Sequence, residues 1–252
     1  MTWRFINTGF NPGNFNMDFD LQLVTNFSGT PVLRFYRWRP FCISLGANQD
    51  YNSINTKKAS TDGLNIVKRP TGGRAILHAE ELTYSVIYPL SSDFTPKKIY
   101  REINLALCEG LINYNPLLNE VELEHNQPHF PSLYKENKSA LCFAASAMNE
   151  INFKGKKVVG SAQRKIGDVV LQHGSILCGA FHKKIINYLN MSTDTKNELE
   201  TELNETTTEL ETILGEEVNY EKLIYSIKKG FENHFKIEFR DEINSEKILQ
   251  VS

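Results

Sequence analysis

The stretch Val67–His78, VKRPTGGRAILH, is followed after three residues by Leu82–Tyr88, LTYSVIY. The second run is dense in β-branched and aromatic residues and free of Gly and Pro, which predicts a strand near the centre of a sheet. In the first run, Leu64–Lys68 and Ala75–His78 are expected as shorter strands on either side of a turn at Thr71–Gly73. Two consecutive glycines after Pro-Thr permit left-handed backbone angles and let main chain approach a bound group closely. Lys68, Arg69 and Arg74 put positive charge around the turn. Exposed N–H groups beside arginines suit a carboxylate, a phosphate or a thioester carbonyl. The GxxxxGK[ST] pattern is absent, so this is no P-loop. A plain hairpin turn with surface basic residues accounts for the same composition.

Working outward toward the N-terminus, Phe41–Leu45 and Pro31–Trp38 are expected as strands, the latter by its alternation of Val32, Arg34, Tyr36 and Trp38 with Leu33, Phe35 and Arg37. Phe15, Phe19, Leu23 and Phe27 recur at helical spacing, predicting a helix over 15–27. Trp3–Ile6 reads as a strand and Asn7–Asn14 as a loop. On the other side, Pro96 opens a helix reaching Tyr114, a position that suits a residue with no N–H to donate. Val121–Leu123, Glu150–Phe153, Lys157–Arg164 and Val169–Leu177 read as strands, with hairpin turns at Lys154-Gly155 and at 166–168. The span His125–Lys138 is polar, holds two prolines and reads as a loop. Lys183–Leu189 is expected as a short helix. Asp194–Glu211 carries one narrow apolar stripe (Leu199, Leu203, Leu210), as a largely solvated helix or a mobile segment would. Tyr220–His234 is an amphipathic helix and Phe235–Phe239 a strand. Strands and helices mix without strict alternation, which predicts a mixed α/β or α+β fold.

The chain has 252 residues and a formal net charge of −2, which offers no electrostatic reason to expect nucleic acid as partner. No apolar run approaches the roughly 18 residues of a membrane span, and the N-terminal MTWRFINTGFN has no apolar signal core. A cytoplasmic location is expected. The four cysteines, Cys42, Cys108, Cys142 and Cys178, form no CxxC pair, so neither disulfides nor a metal are expected.

Two further segments carry chemistry. Ser139–Ala145, SALCFAA, places Cys142 between small residues after a polar loop. A nucleophilic thiol needs access and a neighbouring cation or base, but a cysteine among small residues equally suits a core position. In Gly155–Leu177, Gly160 and Gly174 interrupt strand-like runs, which marks bulges or a close backbone approach. Ser161, Gln163 and His173 add neutral polar groups beside them.

Together RPTGGRAILH, ELTYSV, SALCF, GKKVVGSAQ and LQHGSIL resemble the biotin/lipoate protein ligase superfamily over roughly residues 2 to 180. Within it, the chain looks most like the cysteine-dependent octanoyltransferases related to lipoate–protein ligase. The resemblance implies a single catalytic domain over 1–252, with a helical C-terminal portion over 190–252. It implies a central mixed, largely antiparallel sheet flanked by helices, an α+β fold. It also implies a ping-pong transfer with no cofactor: an octanoyl group moves from acyl carrier protein onto a cysteine, then to a lysine of a lipoyl domain. Acceptors of that kind are the glycine-cleavage H protein and 2-oxoacid dehydrogenase subunits. The nucleophile maps to Cys142, and the lysine that lowers its pKa maps to Lys157; the residues alone do not separate Lys157 from Lys154, Lys156 or Lys165. Arg69, Thr71, Gly72, Gly73, His78, Gly160, Ser161, Gln163, His173 and Gly174 are the expected substrate-binding residues, with the LTYSVIY strand and the TGG turn as walls of an apolar tunnel. A monomer is expected. Leu141, Lys68 and Cys178-Gly179 depart from the usual pattern. An ATP-dependent lipoate–protein ligase, a lipoyl-domain amidotransferase and a non-catalytic binding homologue are the alternatives.

Overall fold

The computed structural model describes residues 1–124 and 150–242. Its main sheet has eight strands: β1 (Thr2–Asn11), β2 (Val32–Trp38), β6 (Glu81–Pro89), β7 (Val121–Leu123), β8 (Ile151–Phe153), β9 (Lys156–Ile166), β10 (Val169–Leu177) and β11 (Glu238–Asp241). Their order is β11-β1-β2-β6-β10-β9-β8-β7. The pairs of β1 with β11 and with β2 are parallel, and the other five are antiparallel. A smaller sheet has the order β4-β3-β5, from β3 (Cys42–Leu45), β4 (Asn65–Lys68) and β5 (Ile76–His78). The LTYSVIY run is therefore central, flanked by β2 and β10.

The helices are α1 (Gly13–Thr25), α2 (Thr56–Thr61), α3 (Pro96–Tyr114), α4 (Thr193–Thr206), α5 (Leu210–Leu214) and α6 (Tyr220–Phe235), with a 3-10 segment at Ala180–Tyr188. Thr95 caps α3 by accepting from the Lys98 N–H, and Pro96 occupies its first turn. Asn219 caps α6 in the same way through Lys222 N–H at 3.0 Å. These two helices cover one face of the main sheet. Ile103, Leu107 and Leu111 of α3, with Leu223, Ile227 and Phe231 of α6, bury against Leu33, Phe35, Leu82, Tyr84 and Val86. Trp3 anchors the far end of this core among Tyr88, Phe231 and Phe235.

The other face meets α1 through Ile6, Val32, Ile87 and Leu171, which pack on Phe19 and Leu23. The small sheet has its own core, in which Ile43, Leu45 and Leu77 bury against Ile185 and Ile186 of the 3-10 segment and Leu199 and Leu203 of α4.

Most expected elements form, with shifts at their ends. Strand β1 continues to Asn11, beyond the expected loop at Asn7, because a register shift between Asn7 and Phe10 carries it past Gly9 while it stays paired with β2. The solvated helix expected over 194–211 breaks after Thr206. There the Thr208 N–H donates to the Lys157 carbonyl at 3.0 Å, and Leu210 joins the α3–α6 core instead of the small-sheet core of Leu199 and Leu203. The last strand starts at Glu238 because α6 runs on through Phe235. The loop expected at His125–Lys138, and the SALCFAA segment with Cys142, lie outside the described residues. Among the described residues, no helix is long and apolar enough to cross a membrane.

Candidate active site

Alternation along the central strands builds the site. Register places Tyr36 opposite Thr83 and Arg34 opposite Ser85; Ser175 then pairs with Thr83, and His173 with Ser85. Since neighbouring side chains on a strand point to opposite faces, the face turned away from α3 and α6 carries Arg34, Tyr36, Trp38, Glu81, Thr83, Ser85, His173 and Ser175. All eight are buried. Between this face, the small sheet and α1 lies a narrow cleft. Met17, Tyr36, Trp38 and Ile76 give it apolar wall, while Ser44, Arg69, His78, Thr83, His173 and Ser175 supply polar groups.

Two carboxylate–imidazole–hydroxyl chains face the cleft. In one, His78 Nδ1 lies 2.8 Å from Glu81 Oε1 and its Nε2 lies 2.7 Å from Ser44 Oγ. Its ring stacks on Trp38 at 4.1 Å. Glu81 Oε1 also accepts from Trp38 Nε1 at 3.2 Å, from Ser175 Oγ at 2.7 Å and from the Thr83 hydroxyl. In the other chain, His173 Nε2 lies 2.6 Å from Thr71 Oγ1, and Nδ1 lies 3.6 Å from Asp20 Oδ2. Asp20 is fully buried against Arg34, whose Nη1 donates to Oδ1 at 2.7 Å, and Ser85 Oγ donates to the same oxygen at 2.8 Å. The Arg34 guanidinium stacks between the Tyr36 and Phe19 rings, 4.0 and 4.5 Å from their centroids.

Burial is the largest single effect and pushes both carboxyls up, but several lowering effects together hold each below the usual carboxylate range. For Asp20 these are the Arg34 charge, the nearby His173 imidazole and the Ser85 hydroxyl that donates to it. For Glu81 they are His78 and the Thr83 and Ser175 hydroxyls. Burial pushes His173 down, so its imidazole stays neutral. The three described cysteines are all buried. Burial drives the Cys108 and Cys178 thiols up to about 12 and Cys42 higher still, so none of them is a thiolate at neutral pH.

The TGG turn is braced from inside. Arg69, expected to bind substrate, lines the cleft, and its buried guanidinium also donates to the carbonyls of Ser44 at 3.1 Å, Gly72 at 2.8 Å and Arg74 at 2.8 Å. Carbonyls turned inward have no water, so the arginine satisfies them. Thr71 O accepts from Ala47 N–H at 2.9 Å. This close docking explains Gly46, where a Cβ would stand 2.0 Å from the Gly73 carbonyl oxygen. Gly73 itself has φ +95°, a conformation that favours glycine.

The cleft thus gathers Arg69, His78, Gly160, Ser161, His173 and Gly174 from the expected set, and Thr71 bonds His173. Other expected residues turn away. Of the LTYSVIY strand only Thr83 lines the cleft, because alternation sends Leu82, Tyr84 and Val86 into the α3–α6 core. Gln163 donates to Gln172 at 3.3 Å, and Gln172 in turn donates to Tyr84 and to Asn104 of α3. Gly174 makes room for protein: a Cβ there would lie 2.5 Å from Gly160 O and 2.7 Å from the Tyr84 ring. Lys157 is 1% exposed, with its Nζ 2.8 Å from Glu150 Oε2. Asp20, Arg34, Ser44, Glu81 and Ser175 are site residues that sequence reading missed. The one signal for them was the alternation of Arg34 with apolar neighbours in a strand buried on both faces.

The model of the lipoyl protein ligase A/B catalytic domain matches residues 12–232. The chain is 34% identical to octanoyltransferase LipM of Lysinibacillus sphaericus over 99% of this chain and 92% of that one. It is 32% identical to octanoyltransferase LipM of Bacillus subtilis over 98% and 91%. The chain belongs to the lipoyl protein ligase A/B catalytic-domain family. It is an enzyme of the acyltransferase class within it. Solved structures share the family fold. A bi-partite lipoate protein ligase from Thermoplasma acidophilum superposes with a TM-score of 0.77 at 20% identity, covering 99% of this chain and 89% of that one. Lipoate-protein ligase A bound with ATP superposes at 0.74 and 21%, covering 99% and 92%.

Proposed function

We propose that this enzyme transfers an octanoyl group from octanoyl-acyl carrier protein, through a thioester on Cys142, to a lysine of a lipoyl domain. The observation that carries the reading is relatedness to octanoyltransferases along nearly the whole chain. The cleft adds to it. It joins apolar wall to polar groups that suit a thioester head. The buried thiols of Cys42, Cys108 and Cys178 are unsuited to act as nucleophiles, which supports the assignment of Cys142. Lys157, paired in the interior with Glu150, supplies a buried ammonium of the kind that favours a nearby thiolate. Exchange between thioesters is nearly isoenergetic and aminolysis of a thioester runs downhill, so the reading needs no nucleotide. One catalytic domain over 1–252, a monomer acting in the cytoplasm on lipoyl-domain proteins, completes it.

Intact mass after mixing with octanoyl-acyl carrier protein, without ATP, tests the reading. The expected result is an octanoyl adduct that Cys142→Ala abolishes. No adduct on the wild-type chain would sink it. A second reading, ATP-dependent ligation of free lipoate, is favoured by the fold shared with an ATP-bound lipoate-protein ligase A. It requires lipoylation that depends on ATP and survives Cys142→Ala.

A further inference from the structure

The two carboxylate–imidazole–hydroxyl chains of the cleft differ in charge balance. Asp20 is already neutralised by the buried Arg34 at 2.7 Å, and His173 stands 3.6 Å away, beyond hydrogen-bond reach. Glu81 has no such arginine. Among the described residues, His78 is the one ionisable group within ion-pair distance of it. Its other donors are neutral, and its Oε2 is buried with no hydrogen-bond partner. A proton placed on His78 therefore meets an unbalanced carboxylate at 2.8 Å, whereas a proton on His173 meets an ion pair already complete.

The hydrogen bonds also fix the tautomer of His78. Glu81 Oε1, an acceptor-only carboxylate oxygen, lies 2.8 Å from His78 Nδ1, so the ring N–H sits there and Nε2 accepts from the Ser44 hydroxyl. The accepting nitrogen stands behind a hydroxyl that lines the cleft.

We propose that Ser44 and His78 form the relay that takes a proton from the acceptor amine, with Glu81 as its positioning residue; this rests on the octanoyl-transfer reading. A lysine arrives as an ammonium, with a pKa of about 10.4, and has no lone pair to attack with. Ser44 Oγ takes one ammonium proton as its own passes to His78 Nε2. The freed lone pair forms the C–N bond at the thioester carbonyl carbon. The C–S bond breaks, and sulfur leaves with the electron pair. A second proton from nitrogen goes to that sulfur, and His78 later gives its proton to water. The products are the amide, the thiol and one released proton. Of the charged neighbours of His78, Arg69 opposes a proton on the ring and Glu81 favours it. Trp38 stacks on the ring from β2, Arg69 and Ser44 face it from the small sheet, and Ser175 and neutral His173 face it from β10. Tyr36, Cys42 and Cys178, around Glu81, are held protonated by burial.

Single-turnover transfer from the octanoyl-loaded protein to a lipoyl domain tests the relay, comparing wild type with Ser44→Ala and Glu81→Gln. The expected result is that the adduct forms in both variants while transfer near pH 7 falls by about 10²-fold, as for loss of a general base. Ser44→Ala should regain rate as the pH approaches about 10, where free amine becomes abundant. Transfer at the wild-type rate in both variants, or loading and transfer falling together, overturns the relay. An absence of adduct on the wild-type chain is a different failure, that of the octanoyl-transfer reading. Nitrogen-15 spectra of the imidazoles check the resting protein independently: His78 is expected as the Nδ1–H tautomer, and finding it as the Nε2–H tautomer overturns the proposal.

Discussion

The two faces of β2, β6 and β10 are made by alternate residues of the same three strands, yet they solve different problems. Toward α3 and α6 the strands present Leu33, Phe35, Leu82, Tyr84 and Val86, and stability there follows from apolar area removed from water. Toward the cleft they present Arg34, Glu81, Ser85, His173 and Ser175, equally buried. Burying such groups costs free energy unless each finds a partner, and a buried ion pair is weak evidence for stability. The polar face is therefore there for what it does, and the apolar face holds it in place.

The comparison breaks most sharply at Arg34. Arg34→Met strands the Asp20 charge, and a loss of about 3–5 kcal/mol is expected in urea unfolding. Adding Asp20→Leu should recover most of that stability, as replacement of a buried pair by apolar residues commonly does, while octanoyl transfer stays impaired. If transfer recovers along with stability, the polar face is only scaffold.

On the opposite face, Leu107→Ala should cost about 2–5 kcal/mol. Activity per folded molecule, assayed well below the unfolding midpoint, should stay near wild type. Loss of specific activity there would show that the two faces are not separable.

Acidity probes the polar face without mutation. Burial pushes His173 and His182 down from the ordinary value of 6.5, so between the folded and unfolded values the unfolded chain binds more protons. Stability is then complete above about 6.5 and falls as pH drops through that window, with a slope of up to about 1.4 kcal/mol per pH unit for each imidazole. His173→Gln should flatten the slope measured by denaturant unfolding; an unchanged slope would contradict the buried, neutral His173.

The smallest effect is expected at Gln163, which bonds Gln172 on the helix-facing side. Gln163→Ala should change stability by no more than about 0.5 kcal/mol and leave single-turnover transfer near wild type. A marked loss of transfer would return Gln163 to the substrate-binding set.

Much of the fold was legible because local signals agreed. Pro96 and the Ile99–Ile103–Leu107 spacing mark α3, and Lys154-Gly155 marks the turn between β8 and β9. The β-rich run over Leu82–Tyr88 marks the central strand. The site was legible only in part. His78 and His173 stood beside glycine-rich turns and drew notice, but their partners did not. Asp20 sits in a helix where an acidic residue reads as solvent-facing, and Glu81 sits at a strand end where it reads as loop polarity. Thr71 and His173 meet across 102 residues of chain, a distance that no local pattern encodes. The Arg69 charge was visible in sequence, and the inward-turned carbonyls it satisfies were not.

Trp38, stacked on His78 at 4.1 Å, has a further consequence. The chain has two tryptophans, and each belongs to a different face of the sheet: Trp3 to the aromatic core and Trp38 to the cleft. The protein thus carries a built-in pair of optical reporters. Light from Trp38 should dim or brighten as the imidazole beside it gains or loses its proton and as an acyl chain fills the cleft, while Trp3 keeps constant watch on whether the molecule is folded.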